Sequence, residues 1–190
     1  MTIVAPVIDT ERLQLRPYTK GDLDDLADIR RRPDVMRYLY EDVQGREEVA
    51  EVLERRATDQ TALRREGDAL VLAVELREVS RVIGDVSMRW VSEEHRQGDI
   101  GFIFHPDYHG RGYAYEASRE MLRLGFEEAG FHRIEGRCDA RNDASARLME
   151  RLGMRREAHL VENEWFKGEW GSELVYAILD REWRERAAAR

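Results

Sequence analysis

Cysteine is nearly absent from this 190-residue chain: Cys138 is alone, so no disulfide can close within it. That agrees with a reducing compartment. Proline is also scarce, with four in all, and no Pro- or Ser-rich stretch, repeat or low-complexity segment marks a boundary. The expectation is therefore a single domain over residues 1–190. No apolar run approaches the length of a membrane span. No basic region followed by an apolar stretch opens the sequence, so a cytoplasmic protein without a membrane partner is expected. Excess positive charge is missing too. With 31 basic against 39 acidic residues the net charge is −8, poor ground for contacting phosphate backbones, so no nucleic-acid partner is expected. The surplus of carboxylates serves solubility, or steers cationic substrates. Lysine is confined to Lys20 and Lys167, to which no chemical meaning attaches.

What is present is a mixture of strand and helix periodicities. Residues Arg12 to Arg16 alternate apolar and polar, as a half-buried strand does. Thr19, with Asp22 three residues on, resembles a helix start, and Leu23, Leu26, Ala27 and Arg30 follow helical spacing up to Pro33. A second helix is expected from about Arg46 to Arg65, with Val49, Val52, Leu53 and Leu63 inward and Gly67 closing it. Ala69–Leu76, Val82–Val91 and Gly98–Phe104 read as an antiparallel meander. The period then returns to helix through Ala114, Ala117, Met121 and Leu124, ending at Gly130. Ile134–Cys138 reads as a strand. Asn142 caps a short helix with Ala144, Leu148 and Leu152 inward and Gly153 at its end. His159–Phe166 and Leu174–Leu179 form a hairpin turning at Lys167-Gly168, and a polar helix follows. This order predicts an α/β fold with a mixed sheet. The strands joined by the helix between Phe104 and Ile134 should be parallel, and such a step is where ligands tend to bind.

The strand ending at Phe104 leads through His105-Pro106-Asp107-Tyr108 to His109-Gly110-Arg111-Gly112-Tyr113-Ala114, which opens that helix. Two glycines at a helix start permit positive φ and close approach of the main chain. The first amides of the helix lack intrahelical partners and, with the helix dipole, make an anion site suited to a pyrophosphate, with Arg111 at its rim. Alone, a Gly-x-Gly before a helix is as often only a tight turn. No Gly-Lys-Ser/Thr follows, and Tyr115 stands where a dinucleotide fingerprint needs its third glycine.

Four segments in order carry a more specific resemblance. Asp99 through Ala117 resembles the acetyl-CoA-binding motif of the GNAT acetyltransferases. Thr10-Glu-Arg-Leu-Gln-Leu-Arg-Pro17, Asn142 through Gly153, and the tail from Gly168-Glu-Trp170 to Trp183 resemble its RimJ/RimL branch, the N-terminal acetyltransferases of ribosomal proteins. The resemblance implies a mostly antiparallel mixed sheet flanked by helices, with a splayed parallel strand pair that binds acetyl-CoA as co-substrate. It implies that His109, Gly110, Arg111, Gly112, Tyr113 and Ala114 wrap the pyrophosphate, although His109 stands where Gln or Arg is commoner. It implies that Phe102, Ile103 and Phe104 present main-chain groups to the pantetheine arm, and that Asn142 and Arg151 contact the coenzyme.

Acyl transfer to an amine needs a base for the ammonium proton, a polarised thioester carbonyl and help for the departing thiolate. Ser145, in the first turn of the helix capped by Asn142, is the candidate acid or thiolate stabiliser; the alternative is that both residues only cap. Many relatives use a tyrosine four positions later, where this chain has Met149. Asp99 is the candidate base, acting through water, or else a solvated strand-end carboxylate. The resemblance implies that the N–H near Phe102 polarises the thioester carbonyl. His105 and His109 have a zinc-like spacing, but they lie in a loop without a third ligand, so no metal is expected. Tyr40, Trp90, Trp165 and Trp170 are candidate walls of the acceptor pocket, or simply packing residues. The acceptor is a small-molecule or peptide amine, its choice shaped by Asp34–Arg46 and the tail hairpin. Three alternatives stay open: a CoA-binding regulatory module without catalysis, another donor such as succinyl-CoA, and, since dimers are common in the branch, a homodimer.

Overall fold

A computed structural model describes residues 2–188. The chain opens with β1 (Ile3–Val4), β2 (Ile8–Asp9) and β3 (Leu13–Arg16), then α1 (Leu23–Arg30), α2 (Pro33–Met36) and α3 (Arg46–Thr58). β4 (Ala62–Leu63), β5 (Ala69–Leu76), β6 (Arg81–Ser92) and β7 (Gln97–Phe104) follow. The remainder is α4 (Tyr113–Arg123), β8 (Arg133–Asp139), α5 (Asp143–Leu152), β9 (Arg155–Phe166), β10 (Glu169–Leu179) and α6 (Asp180–Ala188). Eight strands make one sheet in the order β2-β3-β5-β6-β7-β8-β10-β9, and β1 pairs with β4 apart from it. β7 and β8 run parallel, as the crossover through α4 requires, while the other neighbours in the sheet are antiparallel.

Both faces of the sheet are covered, which is why β5 reads as an apolar run rather than an alternation. Leu70, Leu72 and Val74 face the larger core with Met121 and Leu122 of α4 and Leu148 and Leu152 of α5. Val71 and Ala73 face the smaller core with Leu26 of α1 and Val49, Val52 and Leu53 of α3. Within this second core Arg56 donates to Asp85 and, at 2.9 Å, to the Tyr18 hydroxyl, which donates to Asp85 at 3.1 Å. Burial and the Asp85 charge push the Tyr18 hydroxyl well above its ordinary pKa.

Several boundaries differ from the sequence expectation. α3 ends at Thr58, not near Arg65, because the next residues pair with strands instead: Gln60 O accepts from Val71 N at 2.9 Å and Thr61 O from Ala5 N at 2.7 Å. Leu63 therefore lies in β4, opposite Ile3, and Gly67 (φ +92°) sits in the turn before β5. α1 stops before Pro33 as expected, with Arg32 held extended, and Pro33 in addition begins α2 at its first position. Ala144 is exposed, and Met149 takes the inward place beside Leu148. The tail hairpin is longer than expected: β9 begins at Arg155 and β10 at Glu169, joined at Lys167 (φ +49°) and Gly168 (φ +85°).

Candidate active site

β7 and β8 stay together for three rungs, Gln97–Arg133, Gly98–Ile134 and Asp99–Glu135, and then part. Beyond Asp99, β7 remains paired on its other side to β6, with Phe102 opposite Val86, Ile103 opposite Asp85 and Phe104 opposite Gly84. β8 likewise continues against β10 from Gly136 to Asp139. The inner edges of both strands are thus left without a strand partner, as an added extended ligand would need. Gly136 belongs to this opening: a side chain there would come within 2.7 Å of the Met149 sulfur, so α5 can lie close over β8.

The opening leads to the α4 N-terminus. Gly110 (φ +74°) and Gly112 (φ +84°) are both left-handed, the conformation glycine tolerates and other residues resist. The first intrahelical bond runs from Glu116 N to Gly112 O at 3.0 Å. The amides of Gly110, Arg111, Gly112, Tyr113 and Ala114 make no hydrogen bond to the described residues, so they can serve an anion. His109 is exposed, but its ring folds back on the strand end. Its main-chain N–H donates to Pro106 O at 2.9 Å and its Nε2 to Phe104 O at 3.0 Å, so both groups brace the turn. His105 is buried, its Nδ1 accepting from the Asp107 amide at 3.2 Å and its Nε2 lying 3.3 Å from Asp28 Oδ2. No group of three potential metal-binding side chains occurs among the described residues.

Asp99 lies on the sheet face opposite α4, with Arg89 across β6 and Glu135 across β8. Burial pushes its carboxyl up to about 6; Arg89 and Arg137 oppose this incompletely, and Glu135 and Glu173 reinforce it. Arg137 bridges Glu173 at 3.1 Å and Glu135 at 3.2 Å.

At the far end of the opening, Asn142 Oδ1 accepts from Ser145 N at 3.1 Å and caps α5. The half-buried Ser145 hydroxyl makes no hydrogen bond to the described residues and lies at the positive end of the helix. Met149 is 1% exposed, packed inward. Arg151 lies over the Tyr115 ring at 5.0 Å, joining α5 to α4.

The segment between α2 and α3 meets the tail hairpin. Lys167 Nζ donates to Met36 O at 2.7 Å and Glu41 O at 2.8 Å, and Tyr40 OH donates to Glu164 at 3.0 Å. Tyr38 OH reaches Arg141 O at 3.4 Å, beside the α5 cap. Tyr40 is 76% exposed, and Trp165, 64% exposed, meets Trp170 edge-on at 5.5 Å. Trp90 is not part of this rim. It is 7% exposed and packs edge-on against Phe131 in the larger core, on the same face of β6 as Val86 and Met88.

Residues 12–155 match the acetyltransferase (GNAT) domain family. The chain belongs to the GNAT acetyltransferases, enzymes that move an acyl group from an acyl-CoA to an amine. It is 32% identical over 176 residues to the uncharacterized N-acetyltransferase YnaD of Bacillus subtilis (strain 168), covering 93% of this chain and 98% of that one. The crystal structure of a GNAT-family acetyltransferase from Bacillus anthracis superposes with a TM-score of 0.83 at 30% identity, over 93% of this chain and 99% of the other. Spermidine N-acetyltransferase from Vibrio cholerae, solved with CoA and spermine, shares the fold at a TM-score of 0.76 and 23% identity, over 92% and 99% of the two chains.

In this GNAT chain several site residues escape a reading along the sequence. Arg89, Glu135, Arg137 and Glu173 come from three strands and meet around Asp99 only through register. The alternating Arg133-x-Glu135-x-Arg137 pattern was a visible sign of one charged strand face. Tyr38 and Lys167 lie in segments the sequence singled out, but nothing along the chain marks the contacts they make.

Proposed function

We propose that this GNAT enzyme transfers an acetyl group from acetyl-CoA directly to a primary amine. The supporting observation is the parting of β7 from β8 beside five unpaired amides at the start of α4. A diphosphate fits those amides, and an extended pantetheine arm fits the free edge of residues 102–104. Acetyl-CoA supplies the acyl group already activated as a thioester.

The chain's own groups then have separable tasks. Asp99, with its carboxyl near about 6, is ionised at neutral pH yet basic enough to take an ammonium proton through water. The Phe102 N–H polarises the thioester carbonyl. The unbonded Ser145 hydroxyl donates to the thiolate, and Asn142 holds the helix turn that carries it. Arg151 lies at the coenzyme end. The Asp99 carboxylate and the net charge of −8 favour a cationic amine, whether a small molecule or a protein N-terminus. On the same reading the chain falls in the RimJ/RimL branch, with Thr10–Pro17 and Asn142–Gly153 as its marks.

The test is calorimetric titration with CoA, followed by a thiol-release assay against a panel of amines and N-terminal peptides. Saturable CoA binding and amine-dependent thiol release are expected. CoA binding without turnover across the panel would favour a second reading, a catalytically silent CoA-binding module. Buried Met149, in the place of the usual tyrosine, is the observation behind that alternative.

A further inference from the structure

Arg12 precedes β3, far in sequence from the glycine turn, yet its side chain ends there. Arg12 Nη1 donates to the Arg111 carbonyl at 2.9 Å. Arg12 Nε donates to Glu116 Oε2 at 2.8 Å, and Nη2 lies 2.6 Å from the same oxygen. Glu116 Oε1 accepts from the Arg12 main-chain N–H at 2.9 Å and from Thr10 Oγ1 at 2.6 Å. The guanidinium covers the Tyr113 ring at 4.6 Å, and a side chain at Gly112 would come within 3.3 Å of Arg12 Nη2.

We propose that Arg12 is a positioning residue for diphosphate recognition, turning the Arg111–Gly112 peptide and keeping the Glu116 carboxylate out of the anion site. The proposal rests on the acetyl-CoA reading. In a trans peptide the C=O and N–H point to opposite sides, and no cis bond occurs among the described residues. Drawing the Arg111 carbonyl toward Arg12 therefore turns the Gly112 N–H away from β3 and takes a negative dipole off the anion's side. Glu116 is the second part. A carboxylate in the first turn of a helix ordinarily folds back to cap the free amides, and would there compete with a phosphate. Here its contacts are all made by Thr10 and Arg12, on the outside of the turn. One planar fork serves both acceptors, a geometry an ammonium cannot reproduce.

Two variants test this, Arg12→Ala and Arg12→Lys; the second keeps the charge beside Glu116 and guards against simple loss of folding. Calorimetry should show CoA binding weakened about tenfold or more in both, the worth of one charge-assisted contact. The melting temperature of unliganded Arg12→Lys should stay near that of the parent. The ratio of kcat/KM for acetyl-CoA to that for S-acetylpantetheine, which lacks the diphosphate, should fall by the same factor, with the KM for the amine unchanged. Unchanged CoA affinity, or equal loss with both donors, overturns the positioning role. A parent protein that binds no CoA overturns the acetyl-CoA reading itself, and this proposal with it.

Discussion

Asp99 and Glu135 face each other across the last parallel rung before β7 and β8 part. Two carboxylates on adjoining strands at the mouth of an opening disfavour simultaneous ionisation. Burial already raises Asp99, and Arg137 is shared between Glu135 and Glu173, so the protonation of Asp99 is tuned by the sheet rather than by its own strand.

A pH dependence follows. The native pKa of Asp99, about 6, lies above its ordinary value of 3.8. The folded protein thus keeps a proton that the unfolded chain has released. This contribution to stability is complete below the unfolded pKa and is lost as pH rises through about 6. Asp99→Asn should melt higher than the parent at about pH 7.5 and match it at about pH 3.5. If Asp99 is the base, kcat/KM rises with pH through an apparent pKa of about 6, and the variant loses that limb. A pH–rate profile of both proteins checks this.

Gly112→Ala places a side chain on a residue with φ of +84° and within 3.3 Å of Arg12. Stability should fall by about 1 kcal/mol or more. CoA affinity, measured by calorimetry, should fall by at least about tenfold if the Gly112 amide is one of the proposed diphosphate donors.

The α5 start separates capping from chemistry. Asn142→Ala removes the acceptor for Ser145 N and should cost about 1 kcal/mol in chemical denaturation. Ser145→Ala leaves that cap bond in place. It should lower kcat by about tenfold to a hundredfold with CoA affinity unchanged, and an unaltered kcat would remove Ser145 from the mechanism.

Asp85→Ala strands the Arg56 guanidinium in the smaller core beside Tyr18. Denaturation should show a loss of about 3–5 kcal/mol, since the remaining charge is buried without its partner.

Lys167→Met frees the hairpin tip from the carbonyls of Met36 and Glu41. Steady-state kinetics should show a KM for the amine raised about threefold or more, with the KM for acetyl-CoA unaltered.

Much of this protein was legible along the chain because its deciding features are local. The left-handed turn at Gly110 and Gly112, the Asn142 cap and the crossover through α4 each depend on neighbours in sequence. The mixed sheet follows from their order. Boundaries set by competition were less legible: α3 ended early because Gln60 and Thr61 bond Val71 and Ala5, and Leu63 went to Ile3.

Contacts between distant segments had no sign of their own. Trp90 and Asp99 both looked like site residues, yet the parity of β6 sends Trp90 into the core, while Arg89 beside it faces Asp99. Arg12 reaches the glycine turn, and Lys167 reaches Met36, only after eight strands have found their register. Chain-local chemistry determined which pieces form; cross-strand register and burial, long-range and cooperative by nature, decided which side chains share a site.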